Sequence, residues 1–187
     1  MRLDDGPTLW TIGHSTRTWP DFLALLREHR IGRLVDVRQL PRSRHVPWTD
    51  RDALRPSLDE SGIRYEHVVD LGGFRRPRPD SPNTGLRSAG FRGYADHMAT
   101  DAFGRALERL LGLLEDERVG VMCAEAVPWR CHRSILSDAF VARGARVIHI
   151  LAPGAVRDHT LSPIAVVHDG RVTYPGTPAK RLKRPRG

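Results

Sequence analysis

Val119-Gly-Val-Met-Cys123-Ala-Glu125-Ala-Val-Pro128-Trp-Arg130-Cys131-His132-Arg133-Ser-Ile-Leu-Ser-Asp-Ala-Phe-Val141 is the stretch that decides how this chain folds. Its first residues, 119–122, are an apolar run of strand length. A loop containing Pro128 follows, and residues 131–143 carry apolar side chains at helical spacing. Gly144 suits the position just past a helix C-terminus. A strand, a loop and a helix N-terminus in this order is the arrangement in which α/β proteins place anion sites and nucleophiles. Residues 123–133 also hold both cysteines, a carboxylate, an imidazole and two guanidiniums. Folding alone does not require that concentration of reactive groups, so the segment is read as the active site.

The same alternation extends outward. Residues 9–12, 33–37, 63–68 and 146–151 read as further strands. Helices are expected around Phe22, Leu25, Leu26 and His29, over 50–61 with Thr49 as its cap and Pro56 shortening or kinking it, and over 91–98 and 101–114. Residues 70–88, rich in Gly, Pro and Arg, are expected to be a long functional or disordered loop. Residues 165–174 read as a hairpin turned by Asp169-Gly170. The expectation is an α/β fold, an open and mostly parallel five-stranded sheet with flanking helices and a C-terminal hairpin. It forms one domain over 1–174, with a loose basic tail over 175–187. In such a sheet, strand ends at His14-Ser15, Asp36-Arg38 and Cys123-Glu125 deliver ionisable groups to one edge, where ligands bind.

Composition narrows the function class. At 187 residues the chain can bury a core unaided, and its 40% apolar and 28% charged content fits a globular protein. No apolar run reaches the roughly 18 residues of a membrane span, and with no apolar stretch near residue 1 a secretory leader is not expected. Two cysteines do not make a secreted disulfide framework, so a cytoplasmic location is expected. The formal charge of +8 has two readings: a footprint for phosphate backbones, or arginine enrichment from a GC-rich genome. Arginine clusters in loops, at 38–44 and 75–78, and in the tail at 180–186, which favours nucleic acid or a nucleotide as partner. No membrane partner is expected, and the oligomeric state is left open.

Asp36 lies within an apolar strand, where a carboxylate must be paired or hydrogen-bonded. It is read as catalytic, with Arg38 beside it; a satisfied pair is the alternative. Glu125 is the best general base, an ion pair with Arg130 or Arg133 being its alternative. His14, Ser15, Arg38, His132 and Arg133 are candidate phosphate or substrate contacts, and Trp48 and Tyr94 candidate base-stacking rings. Cys131, near a helix start, is either an activated thiol or a small buried hydrophobe; with Cys123 it is assigned to support or to an alternative nucleophile. The spacing of Cys123, Cys131, His132 and His14 matches no usual zinc pattern, so no metal and no cofactor is expected. Phosphate-binding glycine loops and the G-x-S-x-G elbow are absent.

Thr11-Ile-Gly-His14-Ser15-Thr16, Leu34-Val-Asp36-Val-Arg38, Leu71-Gly-Gly73, Phe91-Arg-Gly-Tyr94 and Met122-Cys-Ala-Glu125 with Pro128 and Cys131-His132-Arg133 resemble the bacterial family known as domain of unknown function 488. The resemblance implies that these segments form a common site; it supplies no reaction. A weaker likeness is to the rhodanese and cysteine-phosphatase arrangement. Here, however, the stretch from Cys123 to Arg130 is one residue longer than the phosphatase loop, and it carries Pro128, Trp129 and an anion-repelling Glu125. The expected function is therefore a nucleic-acid-acting enzyme working at a base or sugar, of the kind a DNA glycosylase for modified bases represents. The alternatives are a cysteine-dependent sulfurtransferase or phosphatase and a non-enzymatic nucleic-acid-binding module.

Overall fold

Period-two alternation sorts the side chains of the central strands onto two faces. In a computed structural model describing residues 6–176, β1 (Thr8–Gly13), β2 (Arg33–Asp36) and β4 (Val119–Cys123) lie side by side at the sheet centre. Leu9, Val35, Val121 and Cys123 enter one core, whereas Ile12, Leu34 and Met122 enter the other. Five parallel strands run in the order β3 (Arg64–His67), β2, β4, β1, β5 (Arg146–Ala152). A sixth, β6 (Ala155–Asp158), pairs antiparallel to β5. The sheet thus has six strands, one more than the sequence reading gave. The added strand folds back through Pro153-Gly154, with Gly154 at φ +66°, a turn conformation glycine adopts without steric cost.

Two helices cover one face. Phe22, Leu25 and Leu26 of α1 (Trp19–Glu28) and Leu54 and Leu58 of α2 (Arg51–Glu60) bury against Ile12, Leu34 and Met122. Thr18 caps α1 by accepting from Asp21 N at 3.3 Å. Thr49 does not cap α2: it sits in a 3-10 turn and its hydroxyl donates to Val46 O at 2.8 Å. Pro56 is carried inside α2 without ending it, since Leu54 and Leu58 on either side anchor the helix in the core.

The other face holds α3 (Ala89–His97), α4 (Asp101–Asp116), α5 (Arg133–Val141) and the expected hairpin, β7 (Val166–His168) with β8 (Arg171–Thr173). Helix α1 leaves β1 toward one face and α5 leaves β4 toward the other. Because β1 and β4 are neighbours, their carboxyl ends open a crevice where the connections diverge, the place ligands occupy in open α/β sheets. Of the tail expected over 175–187, Gly176 N donates to Thr84 Oγ1 at 3.0 Å, and the residues beyond 176 lie outside the described residues.

The long loop before α3 is pinned rather than loose. A Cβ on Gly93 would come within 2.2 Å of Arg75 O, so the loop backbone lies directly on α3. Gly93→Ala is expected to cost about 1–3 kcal/mol by overpacking. Gly112→Ala, on an open stretch of α4 with nothing within 4 Å, is expected to stabilise by about 0.5–1 kcal/mol. Urea unfolding of the two variants checks this pair of opposite signs.

Candidate active site

Three strand ends meet because the loop after β4 crosses the end of β1. A Cβ on Gly13 would lie 1.7 Å from Glu125 O, so only glycine permits the crossing. His14 N and Ser15 N donate to Cys123 O and Ala124 O at 3.0 and 2.9 Å, tying the two strand ends together. Ser15 accommodates this at φ 50°, in the left-handed region. Outside these ends lies a cavity of about 510 Å³ lined by His14, Arg38, Cys123, Glu125, Cys131 and His132 together with residues of two loops. That volume falls within the range of small-ligand sites.

Asp36 is fully buried and its carboxylate is saturated. Arg38 N and Nε donate to Oδ1 at 3.0 and 2.9 Å, and Arg38 Nη2 and Tyr65 OH donate to Oδ2 at 2.6 and 2.8 Å. Burial disfavours the Arg38 charge, but the pairing with Asp36 outweighs it and raises the guanidinium pKa. Asp36 is absent from the cavity wall; instead of reaching the cavity, as expected of a catalytic group, it holds Arg38 in place. Arg38 lines the cavity; its Nη2 also donates to Thr49 O at 2.6 Å, while Nη1 is buried and has no partner.

Two imidazoles share that condition. His14 Nδ1 lies 2.9 Å from Ser15 O. A carbonyl only accepts, so Nδ1 carries the proton and Nε2 presents a lone pair. That Nε2 is buried without a partner, as is His132 Nε2. Burial lowers both pKa values. His14 is lowered further by Arg38, though the Ser15 carbonyl opposes this; His132 falls to about 4 with Arg133 adding to the effect. Both rings are neutral at pH 7. Buried polar atoms ordinarily find partners, and here three residues that line a single cavity each hold a nitrogen without one.

Other candidates lie elsewhere. Arg133 is fully buried and points inward: Nη2 donates to Glu125 O and Ala126 O at 2.5 and 3.3 Å, Nη1 to Thr11 Oγ1 at 3.2 Å, and Nε to Cys131 Sγ at 3.4 Å. It braces the loop rather than meeting a ligand. Behind it, Thr11 Oγ1 meets His149 Nδ1 at 2.7 Å, His149 Nε2 meets His159 Nδ1 at 3.0 Å, and His159 Nε2 meets Asp138 Oδ1 at 2.8 Å. Tyr94 is buried, donates to Leu71 O at 2.9 Å and packs its ring 5.1 Å from that of His132, so no base can stack on it. Trp48 donates to Arg17 O at 3.0 Å and packs on Trp19 and Phe22 behind His14. Glu125 lines the cavity but is exposed rather than partly desolvated. The cysteine sulfurs lie 3.4 Å apart in the same wall.

Phe74 is not marked as a site residue by any motif of the sequence. It is 93% exposed, lines the cavity and holds φ 56°, a conformation that costs a bulky residue and that recurs at binding sites. The one available signal was its place after Gly72-Gly73. Gly73 approaches the His132 ring so closely that a Cβ would fall 2.8 Å from Nδ1. Arg42 and Arg130 complete the basic lining. Among the described residues, no group of three or more His, Cys, Asp or Glu side chains is placed to hold a metal ion. A second cavity, of about 650 Å³, lies beside α3, α4 and β8. Its buried carboxylate, Asp96, is satisfied by Ser81, Asn83 and Arg78 N, so the chemistry favours the first.

A family model described as domain of unknown function DUF488 matches residues 18–140. The chain belongs to that family. No curated protein and no solved structure matches it. The DUF488 match includes Arg38, Cys123, Glu125, Cys131 and His132, while His14 lies just before it. No helix among the described residues is long and apolar enough to cross a membrane.

Asp36→Asn is expected to cost about 3–5 kcal/mol, because it leaves Arg38 buried without its counterion. Tyr65→Phe should cost about 1 kcal/mol, and exposed Glu125→Gln should stay within about 0.5 kcal/mol of wild type. Urea midpoints rank the three. His132, at about 4, and His149, taken to about 3 by burial and His159, are protonated in the unfolded chain at a pH where the folded chain refuses the proton. Their contribution is fully present above pH about 6.5 and is lost as pH falls toward those folded values. Stability is therefore expected to drop between pH 7 and 5, and His132→Gln should flatten that slope.

Proposed function

We propose that the cavity accepts one nucleotide unit of a nucleic-acid strand and that the protein hydrolyses the bond between its base and sugar. The observation that carries this reading is that His14, Arg38 and His132, each holding a buried nitrogen with no protein partner, line one basic cavity. The cavity's size suits a single nucleotide rather than a duplex, which implies an extruded or single-stranded substrate.

Each group then has a task its surroundings suit. Phe74, exposed at the cavity, offers a face on which a base can stack. Exposed Arg42 and Arg130 meet backbone phosphates. His14 Nε2, with its lone pair fixed by the Ser15 carbonyl, takes a proton from water. The water oxygen forms the new bond to the sugar carbon as the bond to the base breaks. Arg38 Nη1 stabilises the electron pair that leaves with the base, and the Glu125 carboxylate stabilises positive charge developing on the sugar. Asp36 keeps Arg38 in place, and Tyr94 and Gly73 hold the His132 ring.

Incubation with oligonucleotides carrying a panel of modified bases tests the reading. The expected result is salt-sensitive binding and alkali-labile abasic product from at least one of them. His14→Gln should lower turnover by about 100-fold or more while binding persists. Absence of abasic product across the panel, together with salt-independent binding, sinks the proposal.

A further inference from the structure

The hydrolytic reading leaves both thiols of the cavity wall without a task, and the charge balance around Arg133 gives them one. Arg133 is fully buried, and its partners are two backbone carbonyls, the Thr11 hydroxyl and Cys131 Sγ. Among the described residues no carboxylate forms an ion pair with it. A guanidinium taken wholly out of water needs an anion. The one acidic group among its partners is the Cys131 thiol. A second group can donate to the same sulfur: Cys123 Sγ lies 3.4 Å away and is itself buried. Pro128 O, at 3.5 Å, is the acceptor Cys131 uses when protonated.

We propose that Cys131 is a thiolate with Arg133 as its counterion, and that a hydroperoxide entering the cavity oxidises it, with Cys123 closing the resulting disulfide. Two electrons leave the pair. The thiolate of Cys131 attacks one peroxide oxygen, the O–O bond breaks, hydroxide departs and a sulfenic acid remains. The sulfur of Cys123 then attacks Cys131 Sγ; the S–O bond breaks, and the hydroxyl leaves with the Cys123 proton as water. Closing 3.4 Å to a bond of about 2.05 Å is a side-chain movement. The division of labour follows from position. Cys131 can accept from Cys123 and accepts from Arg133, contacts that together lower its pKa against the effect of its burial. Cys123, deeper on β4, is raised by burial and is poised to resolve rather than to initiate.

The inference does not rest on the hydrolase reading, and its measurement uses no nucleic acid. The reduced full-length protein is treated with hydrogen peroxide, alkylated under denaturing conditions and digested with trypsin. Cleavage after Arg118, Arg130 and Arg133 places the two cysteines on separate peptides, 119–130 and 131–133. The expected product is those peptides joined, with the intact mass lower by two hydrogens and neither thiol alkylated. In Cys123→Ser, a 1,3-dione probe should label Cys131; in Cys131→Ser, Cys123 should remain an alkylatable thiol. Wild-type thiols that stay alkylatable after peroxide overturn the proposal whatever the variants do. So does oxidation of Cys123 in Cys131→Ser at the wild-type rate.

Discussion

A single guanidinium, that of Arg133, holds the working end of this fold together. It is wholly buried and bonds to β1 through Thr11, to the crossing loop through the carbonyls of Glu125 and Ala126, and to the base of α5 through Cys131. The loop can lie that close only because β1 ends in Gly13. Once this crossing is made, His14 and Ser15 bond to the end of β4, and β2 adds Arg38 from the other side. The cavity is what remains between these fixed ends. Its position follows from backbone geometry before any substrate is considered.

Arg38 shows how the sheet turns one buried charge into a ligand group. Asp36 takes two of its donors, Thr49 O shares one of these, and Nη1 is left over. A carboxylate and an arginine two residues apart on one strand share a face, so the pairing was visible in the sequence. What could not be read was which of the two groups faces the cavity. That depends on Tyr65 from β3 filling the last acceptor position on Asp36, a neighbour that only the strand order supplies.

The rest of the site divides along the same line. The alternation of apolar runs disclosed five parallel strands and the meeting of their ends, because periodicity is a local property of the chain. β6 was overlooked: it is short and exposed along its whole length, so no apolar alternation marks it. Tyr94 and Trp48, read as stacking rings, are buried or half-buried supports. A motif gives residue identity but not the direction of the side chain, and apolar rings are drawn inward when a core is within reach. Phe74 went unnoticed for the converse reason: a ring held in water by a left-handed backbone contradicts what composition leads one to expect.

The hydrogen-bonded row behind Arg133 has a consequence of its own. Arg133 can only donate and the carboxylate of Asp138 can only accept, so when each imidazole carries a single proton every group between them has its proton assigned. Thr11 donates to His149, His149 donates from Nε2 to His159, and His159 donates from Nε2 to Asp138. The row has one polarity. A reversed arrangement would require a second proton on His159. Four side chains from β1, β5, α5 and the segment after β6 are thereby locked into one set of tautomers. The core of this protein carries an oriented line of dipoles that ends beneath its cavity.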